Sequence, residues 1–189
     1  MKPSFIFISS IYFSFNFLQF TSLSIDFPQI PSSPSSGSIG VLTGDPPLPV
    51  GALVEQFCTG TTMFGPYWEH VLGYWRADVE EPERVMFLRY EEMVAAPAKA
   101  VRKMAGFLGR PVGEEEVERV VRACGIETLR GQEVNRTGKT ELVHGAMDNE
   151  MFFRKGVVGD WSTWLTPELA CRIDDISERR FTGSGIRLG

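Results

Sequence analysis

Histidine and cysteine are scarce. His70 and His144 are the two histidines of the chain, and Cys58, Cys124 and Cys171 are its three cysteines. Neither histidine has a partner at ligand spacing, which leaves metal chemistry without a ligand set. The cysteines are odd in number, widely spaced and without a C-x-x-C pair. They build no disulfide framework and no zinc site, and read as small buried residues of a reducing compartment. A basic surplus is missing too. The net charge of −5 argues against nucleic acid as a partner, so any anion site must be local. No internal repeat is visible, and residues 3–25 carry no charge at all.

What is present falls into two unlike parts. At 189 residues and 43% hydrophobic content, the chain fits one domain, or one domain with an extension. The uncharged opening, "PSFIFISSIYFSFNFLQFTSLSI", contains six phenylalanines interleaved with Ser, Asn and Gln. Its length permits a signal peptide cut after Ser24 or a short transmembrane helix. The alternation in "FIFI" and "FSFNF" has a period near two, which is β-prone and unlike a Leu-rich membrane segment. A Pro/Ser/Gly stretch follows from Pro28 to Pro49 and has no core face. Residues 1–45 are therefore expected to be a disordered extension outside the folded unit. A secretory signal is the second reading.

From about residue 48 the pattern becomes globular. "LPVGALVEQFC" reads as a short helix opened by Pro49, and Trp68, Val71, Leu72 and Trp75 mark one apolar helical face. "RVMFLRY", residues 84–90, is an apolar run bounded by Pro82 and by Glu91 and Glu92. It reads as a buried strand, the one convincing strand of the chain. "PAKAVRKMAGFLG" predicts a helix from Pro97 to a stop at Gly109, with Val101, Met104, Ala105 and Leu108 on one face. "GEEEVERVVRACG" places three glutamates in a first turn and aligns Val117, Val120, Val121 and Cys124. Residues 135–149 are polar and read as loop. In "LTPELACRIDDISERRF", Thr166 can cap a helix that Pro167 begins and Arg179 and Arg180 close.

The run "MFFRKGVVGDW", residues 151–161, is unusual in an acidic chain. Arg154 and Lys155 stand beside Gly156, where the absence of a side chain lets a ligand approach backbone N–H groups. That set suits a phosphate. Taken alone, a dibasic pair at a loop edge is more often just solvated surface.

"FGPYWEHVLGYW", "VMFLRYEEM", "VNRTGK" and "FFRKGVVGDWSTWLTPELA" follow one another in that order. Together they resemble the C-terminal half of cytosolic sulfotransferases of the plant type. The resemblance runs from about Leu48 to Gly189, and no motif before about residue 45 shares it. It implies an α/β fold: the C-terminal portion of a P-loop-like sulfotransferase fold, with residues 46–189 as a partial domain. Such a portion is mostly helical, with about one strand of the parallel sheet. The activity implied is sulfuryl transfer from 3'-phosphoadenosine 5'-phosphosulfate (PAPS) to a hydroxyl or amine of a small molecule such as a phenol, flavonoid or steroid. No metal takes part, and the setting is cytoplasmic, away from membranes. By resemblance, Arg154, Lys155 and the backbone of Gly156 grip the 3'-phosphate of the nucleotide, and Tyr90 contacts its adenine side. A guanidinium fork, a point charge and a bare backbone are chemically apt for that task. Without the resemblance, Tyr90 would read as an aromatic filling the core at a strand end.

The family's phosphosulfate loop, of the form K-x-G-T-T, its catalytic histidine and the Arg/Ser pair completing the 3'-phosphate site have no counterpart among the motifs. No residue of the chain is therefore assigned a catalytic role. His70 lies on a structural helix, and His144 lies in the polar stretch. "TGTT", residues 59–62, echoes the loop but lacks its lysine and a leading strand. "TGKT", residues 137–140, lacks the glycine a Walker motif needs where Glu133 stands. The sequon at Asn135 reads as coincidence. Ile126 stands where the family has its adenine-stacking aromatic. Of Ser162, Thr166, Pro167 and Cys171, only Thr166 agrees with the dimer motif of animal relatives. Three readings follow: a PAPS-dependent sulfotransferase in truncated form, a non-catalytic fragment that acts by binding a partner such as an intact homologue, and a secreted or tethered protein.

Overall fold

The computed structural model describes residues 5–9, 38–39, 48–61, 66–142, 145–153 and 155–187. The first elements are β1 (Phe5–Ser9), β2 (Ser38–Ile39), β3 (Leu48–Pro49), α1 (Val50–Thr59), α2 (Tyr67–Glu80) and β4 (Val85–Arg89). Four helices follow: α3 (Tyr90–Ala95), α4 (Pro97–Phe107), α5 (Glu114–Ala123) and α6 (Ile126–Gly131). Then come α7 (Glu133–Thr137), strands β5 (Lys139–Leu142) and β6 (Gly145–Asp148), and α8 (Pro167–Phe181). Two 3₁₀ turns, Asn149–Phe152 and Asp160–Thr163, precede α8. The chain divides into two compact units. One joins Met1–Ser10 to Glu80–Val158, and the other joins Ile11–Val79 to Gly159–Gly189.

In the first unit, Met86, Phe87 and Leu88 are all buried, so β4 is apolar on both faces as parallel strands usually are. Its neighbour is β1, paired in parallel from Phe5 opposite Val85 to Ser9 opposite Arg89. Five residues of the stretch expected to lie outside the folded unit thus pair with its buried strand. The period-two Phe/Ile alternation that marked the segment as β-prone supplies β4 with a sheet partner. Arg84, at the turn into β4, pairs with Glu81.

After β4 the chain runs helix to helix. Pro97 opens α4, and Gly109, at φ +65°, ends the turn beyond it in the left-handed region. The guanidinium Nε of Arg102 on α4 donates to Glu114 of α5 at 2.9 Å, which holds that exposed carboxylate below its usual range. Both helices bury little: Ala100 on α4 and Val117 on α5 are their buried residues. The face expected on α4 is half-buried at Val101, Met104 and Ala105 and exposed at Leu108, while on α5 Val117 is buried and Val120 exposed.

Residues 135–149, expected as loop, hold part of α7 and the antiparallel β5–β6 pair, Lys139 opposite Asp148 and Leu142 opposite Gly145. Side-chain hydrogen bonds decide this, and hydrophobic period does not. The Asn149 amide donates to the Val134 carbonyl at 2.8 Å and accepts from Thr140 at 2.7 Å. The Asn149 backbone N–H donates to the Gly138 carbonyl at 2.9 Å. Gly138 is tight: a Cβ there would lie 2.2 Å from the Val134 carbonyl oxygen. His144 lies outside the described residues.

The second unit has the larger core. Val54 and Phe57 of α1, Tyr67, Trp68 and Val71 of α2, and Ala170, Ile173, Ser177 and Phe181 of α8 are buried. Ring centroids of Phe57 and Trp68 lie 5.0 Å apart in a tilted contact. α8 forms as its sequence predicts: the Thr166 hydroxyl accepts from the Leu169 N–H at 3.4 Å, Pro167 follows, and Arg179 and Arg180 close it. Two ion pairs flank this core, Arg172 with Glu55 at 2.5 Å and Arg180 with Glu69 at 2.6 Å. All are substantially exposed and contribute little each. The cysteines depart from the expectation that they are buried. Cys171 is exposed beside buried Ala170, Cys124 is exposed at the end of α5, and Cys58 is half-buried. Burial, opposed by Arg172, raises the Cys58 pKa.

One polar group sits inside that core. The Trp68 indole N–H donates to Ser177 Oγ at 2.9 Å, and Ser177 Oγ donates to the Ile173 carbonyl at 2.7 Å. Replacing Ser177 with Ala strands the buried indole N–H. We expect a loss of about 1–3 kcal/mol, the cost of an unsatisfied buried donor. Urea unfolding followed by tryptophan fluorescence measures it. A variant as stable as wild type would show that the indole finds another acceptor.

Candidate functional site

The site residues expected from sequence fall where a strand and a helix of the first unit end their runs. Tyr90 is the first residue of α3, directly after β4, and is half-buried. It therefore stands at the carboxyl end of the parallel pair, where open α/β sheets place ligands. Lys155 and Gly156 follow the 3₁₀ turn Asn149–Phe152, and both are exposed. Arg154 lies outside the described residues.

The segment around Lys155 is built onto α6. Arg130 is half-buried, and its guanidinium reaches 23 positions along the chain to the Phe153 carbonyl. Nε donates to that oxygen at 3.1 Å and Nη2 donates to it at 2.9 Å. Nη1 points the other way, donating to Glu127 at 2.8 Å. Four residues earlier on the same helix, Ile126 faces Gly156. A Cβ on Gly156 would lie 3.1 Å from Ile126 Cβ and Cγ1. Gly156 also has φ +65°, a conformation that L residues avoid. Glycine is required there twice over, by the backbone angle and by the close approach of Ile126.

Upstream, the segment is fixed by the same asparagine that holds the β5–β6 pair. The Phe153 N–H donates to the Glu150 carbonyl at 3.0 Å, and the turn itself starts at Asn149. Arg130 and Asn149 were not singled out from sequence. Their contacts span 23 and 15 residues, beyond any local periodicity.

The remaining sequence candidates have structural explanations. His70 is exposed on α2, its ring edge-on to Tyr74 at 5.1 Å. "TGTT" closes a helix: Gly60 is the left-handed cap of α1 at φ +73°. "TGKT" runs from helix α7 into strand β5, the reverse of the strand–loop–helix order a phosphate loop needs. In the sequon, the Asn135 amide donates inward to the Leu129 carbonyl at 2.8 Å. Among the described residues, no group of three or more His, Cys, Asp or Glu could hold a metal ion. No described helix is long and apolar enough to cross a membrane. In the second unit, the Gly159-Asp160-Trp161 part of the motif opens a 3₁₀ turn from a left-handed glycine, φ +86°.

The sulfotransferase domain family model matches residues 3–185. It begins inside the stretch that motifs alone leave unmatched. Cytosolic sulfotransferase 5 of Arabidopsis thaliana is 43% identical over 139 residues, covering 71% of this chain and 42% of that protein. Flavonol 3-sulfotransferase of Flaveria bidentis is 38% identical over 147 residues, 74% of this chain and 47% of that protein. The chain thus spans less than half the length of these curated relatives. A mouse sulfotransferase complexed with PAP superposes with a TM-score of 0.70 at 23% identity, covering 96% of this chain and 59% of that one. Retinol dehydratase in complex with androsterone and inactive cofactor PAP gives 0.72 at 17% identity, covering 98% and 49%. These two likenesses establish the fold, here mostly helical with few strands.

The double constraint on Gly156 can be separated by mutation. Gly156→Ala is expected to lower stability by at least about 1–2 kcal/mol, the cost of a left-handed L residue. Made in an Ile126→Ala background, which removes the Cγ1 and Cδ1 contacts but keeps the Cβ and the φ, it should cost less without becoming neutral. Denaturation of the four chains in a double-mutant cycle decides this. Equal costs in both backgrounds would mean that Ile126 does not press on this position.

Proposed function

Because this chain belongs to the sulfotransferase domain family, we propose that Arg154, Lys155 and Gly156 hold the 3'-phosphate of PAPS, with Tyr90 on the adenine side. The observation that carries the proposal is the Lys155–Gly156 segment. An exposed ammonium stands beside a left-handed glycine, in a stretch anchored at Phe153 by Arg130 and at Gly156 by Ile126. An anchored backbone with a bare glycine can present its N–H to an anion without rearranging, and the lysine adds a charge in reach of solvent-borne phosphate. The donor set therefore fits the anionic end of the nucleotide.

On the adenine side, Ile126 offers an apolar contact where the family's aromatic would stack. Its half-buried side chain already leans on Gly156. Bound PAPS would supply the sulfuryl group for transfer to a hydroxyl or amine of a small molecule, a phenol, flavonoid or steroid by analogy with relatives such as the flavonol 3-sulfotransferase. The chain's own residues bind and orient the donor. No residue is given the role of base. The several cytosolic relatives favour a cytoplasmic setting.

Two measurements test this. Arg154→Ala in the 189-residue chain is expected to weaken binding of adenosine 3',5'-bisphosphate by about 1.5–3 kcal/mol, the range for a hydrogen bond to a charged group. A ligand without the 3'-phosphate should erase most of that difference. If the variant discriminates against the dephosphorylated ligand as strongly as wild type, the basic pair is surface charge.

The second measurement is turnover. Incubated with labelled PAPS and a panel of phenols, flavonols and steroids, the chain is expected to yield no sulfated product above a no-protein control. A positioned base alone contributes about 10²–10⁴-fold to such reactions. Product formation that Lys155→Ala abolishes would show that this chain does hold the groups the chemistry needs.

A further inference from the structure

We infer that Arg130 is a positioning residue for the phosphate grip, holding Phe153 so that Lys155 and Gly156 are presented in one conformation. This deepens the proposed nucleotide site and rests on it. Two N–H groups of one guanidinium converge on one carbonyl, Nε at 3.1 Å and Nη2 at 2.9 Å. That carbonyl lies two positions before Lys155, so holding it restricts how the backbone reaches Lys155 and Gly156. At the other end of the pair, Ile126 limits Gly156 from a distance that admits no side chain. Ile126 and Arg130 are four apart on α6 and so share one helical face. Each fixes one end of the four-residue stretch Phe153–Gly156, the first through hydrogen bonds and the second through van der Waals contact.

The chemistry of arginine suits this role better than a direct phosphate contact. Its planar fork is spent on a carbonyl and on Glu127, which leaves α6 as scaffold and the downstream pair as the ligand's partner. A lysine in its place could make one hydrogen bond to the carbonyl but could not bracket it. The consequence is specific. Loss of Arg130 leaves the ligand-facing groups chemically intact and loosens their placement, so selectivity for the 3'-phosphate falls while the rest of the nucleotide still binds.

The experiment compares wild type, Arg130→Ala, Arg130→Lys and Glu127→Gln in the full chain. The probes are adenosine 3',5'-bisphosphate and adenosine 5'-monophosphate, titrated calorimetrically. For Arg130→Ala, the ratio of the two dissociation constants is expected to fall roughly tenfold. That is less than the about hundredfold that an ångström of misplacement costs at a reacting centre. Arg130→Lys should fall between it and wild type, and Glu127→Gln should keep the wild-type ratio. A merely destabilised variant would lower the binding-competent fraction and leave the ratio alone. An unchanged ratio in Arg130→Ala therefore overturns the inference.

If wild type itself does not distinguish the two nucleotides, the nucleotide site fails, and amide hydrogen exchange then decides the clamp alone. The Lys155 and Gly156 amides should exchange at least about tenfold faster in Arg130→Ala than in wild type, with α8 unchanged. Equal exchange at both amides would show that Arg130 does not hold the segment.

Discussion

Everything proposed for this chain depends on one backbone position. Gly156 sits at φ +65° with Ile126 against it, so the chain turns there in a direction and at a distance that only glycine allows. The turn would matter little if its approach were loose. It is not loose, because the Phe153 carbonyl three residues earlier is bracketed by the Arg130 guanidinium. A bracketed carbonyl at Phe153 and a sterically confined Gly156 are what the proposed phosphate grip would draw on. The distinction between a phosphate site and ordinary surface charge lies in that fixing, since arginine and lysine on a free loop would lose side-chain and backbone entropy on gripping a ligand.

The fold was partly legible in the sequence, for reasons specific to each element. β4 was readable because Val85–Leu88 is a short apolar run between a proline turn and two glutamates, and burial on both faces leaves no polar interruption. α8 was readable because cap, first-turn proline and terminal arginines all agree. β1 was half legible: its alternation signalled strand, but a parallel partner 80 positions away leaves no trace in a local pattern. The β5–β6 pair was not legible. It is polar, and Asn149 hydrogen bonds to Val134, Gly138 and Thr140 hold it in place of an apolar face.

The site divides along the same line. Residue types that could meet a phosphate, Arg154, Lys155 and Gly156, stand next to each other and could be read directly. What fixes the backbone at Phe153 and Gly156 stands on α6 and could not. Arg130 looked like one more charge in a chain with many Glu–Arg pairs at helical spacing, such as Glu116 with Arg119 and Glu118 with Arg122. It has such a partner itself in Glu127, which disguises the longer contact. Its carbonyl partner is a backbone atom of a distant residue, and backbone atoms have no sequence signature.

The two units differ in how they are held, and that difference bears on how the site would work. The second unit closes over buried Phe57, Trp68, Ile173 and Phe181, with the Trp68 indole N–H satisfied by Ser177. In the first, α6 and α7 contain no buried residue at all. A six-residue helix has almost no stability of its own, because nucleation is costly and few hydrogen bonds repay it. α6 therefore persists through its contacts, and two of these are the contacts to Phe153 and Gly156. The dependence runs both ways: α6 orders the basic segment, and the segment orders α6. A ligand gripped by Arg154, Lys155 and Gly156 would stabilise the helix that positions them, since anything that binds only the ordered form shifts the balance toward it. The site is thus coupled to the least self-sufficient helices of its unit, where local opening takes the least free energy.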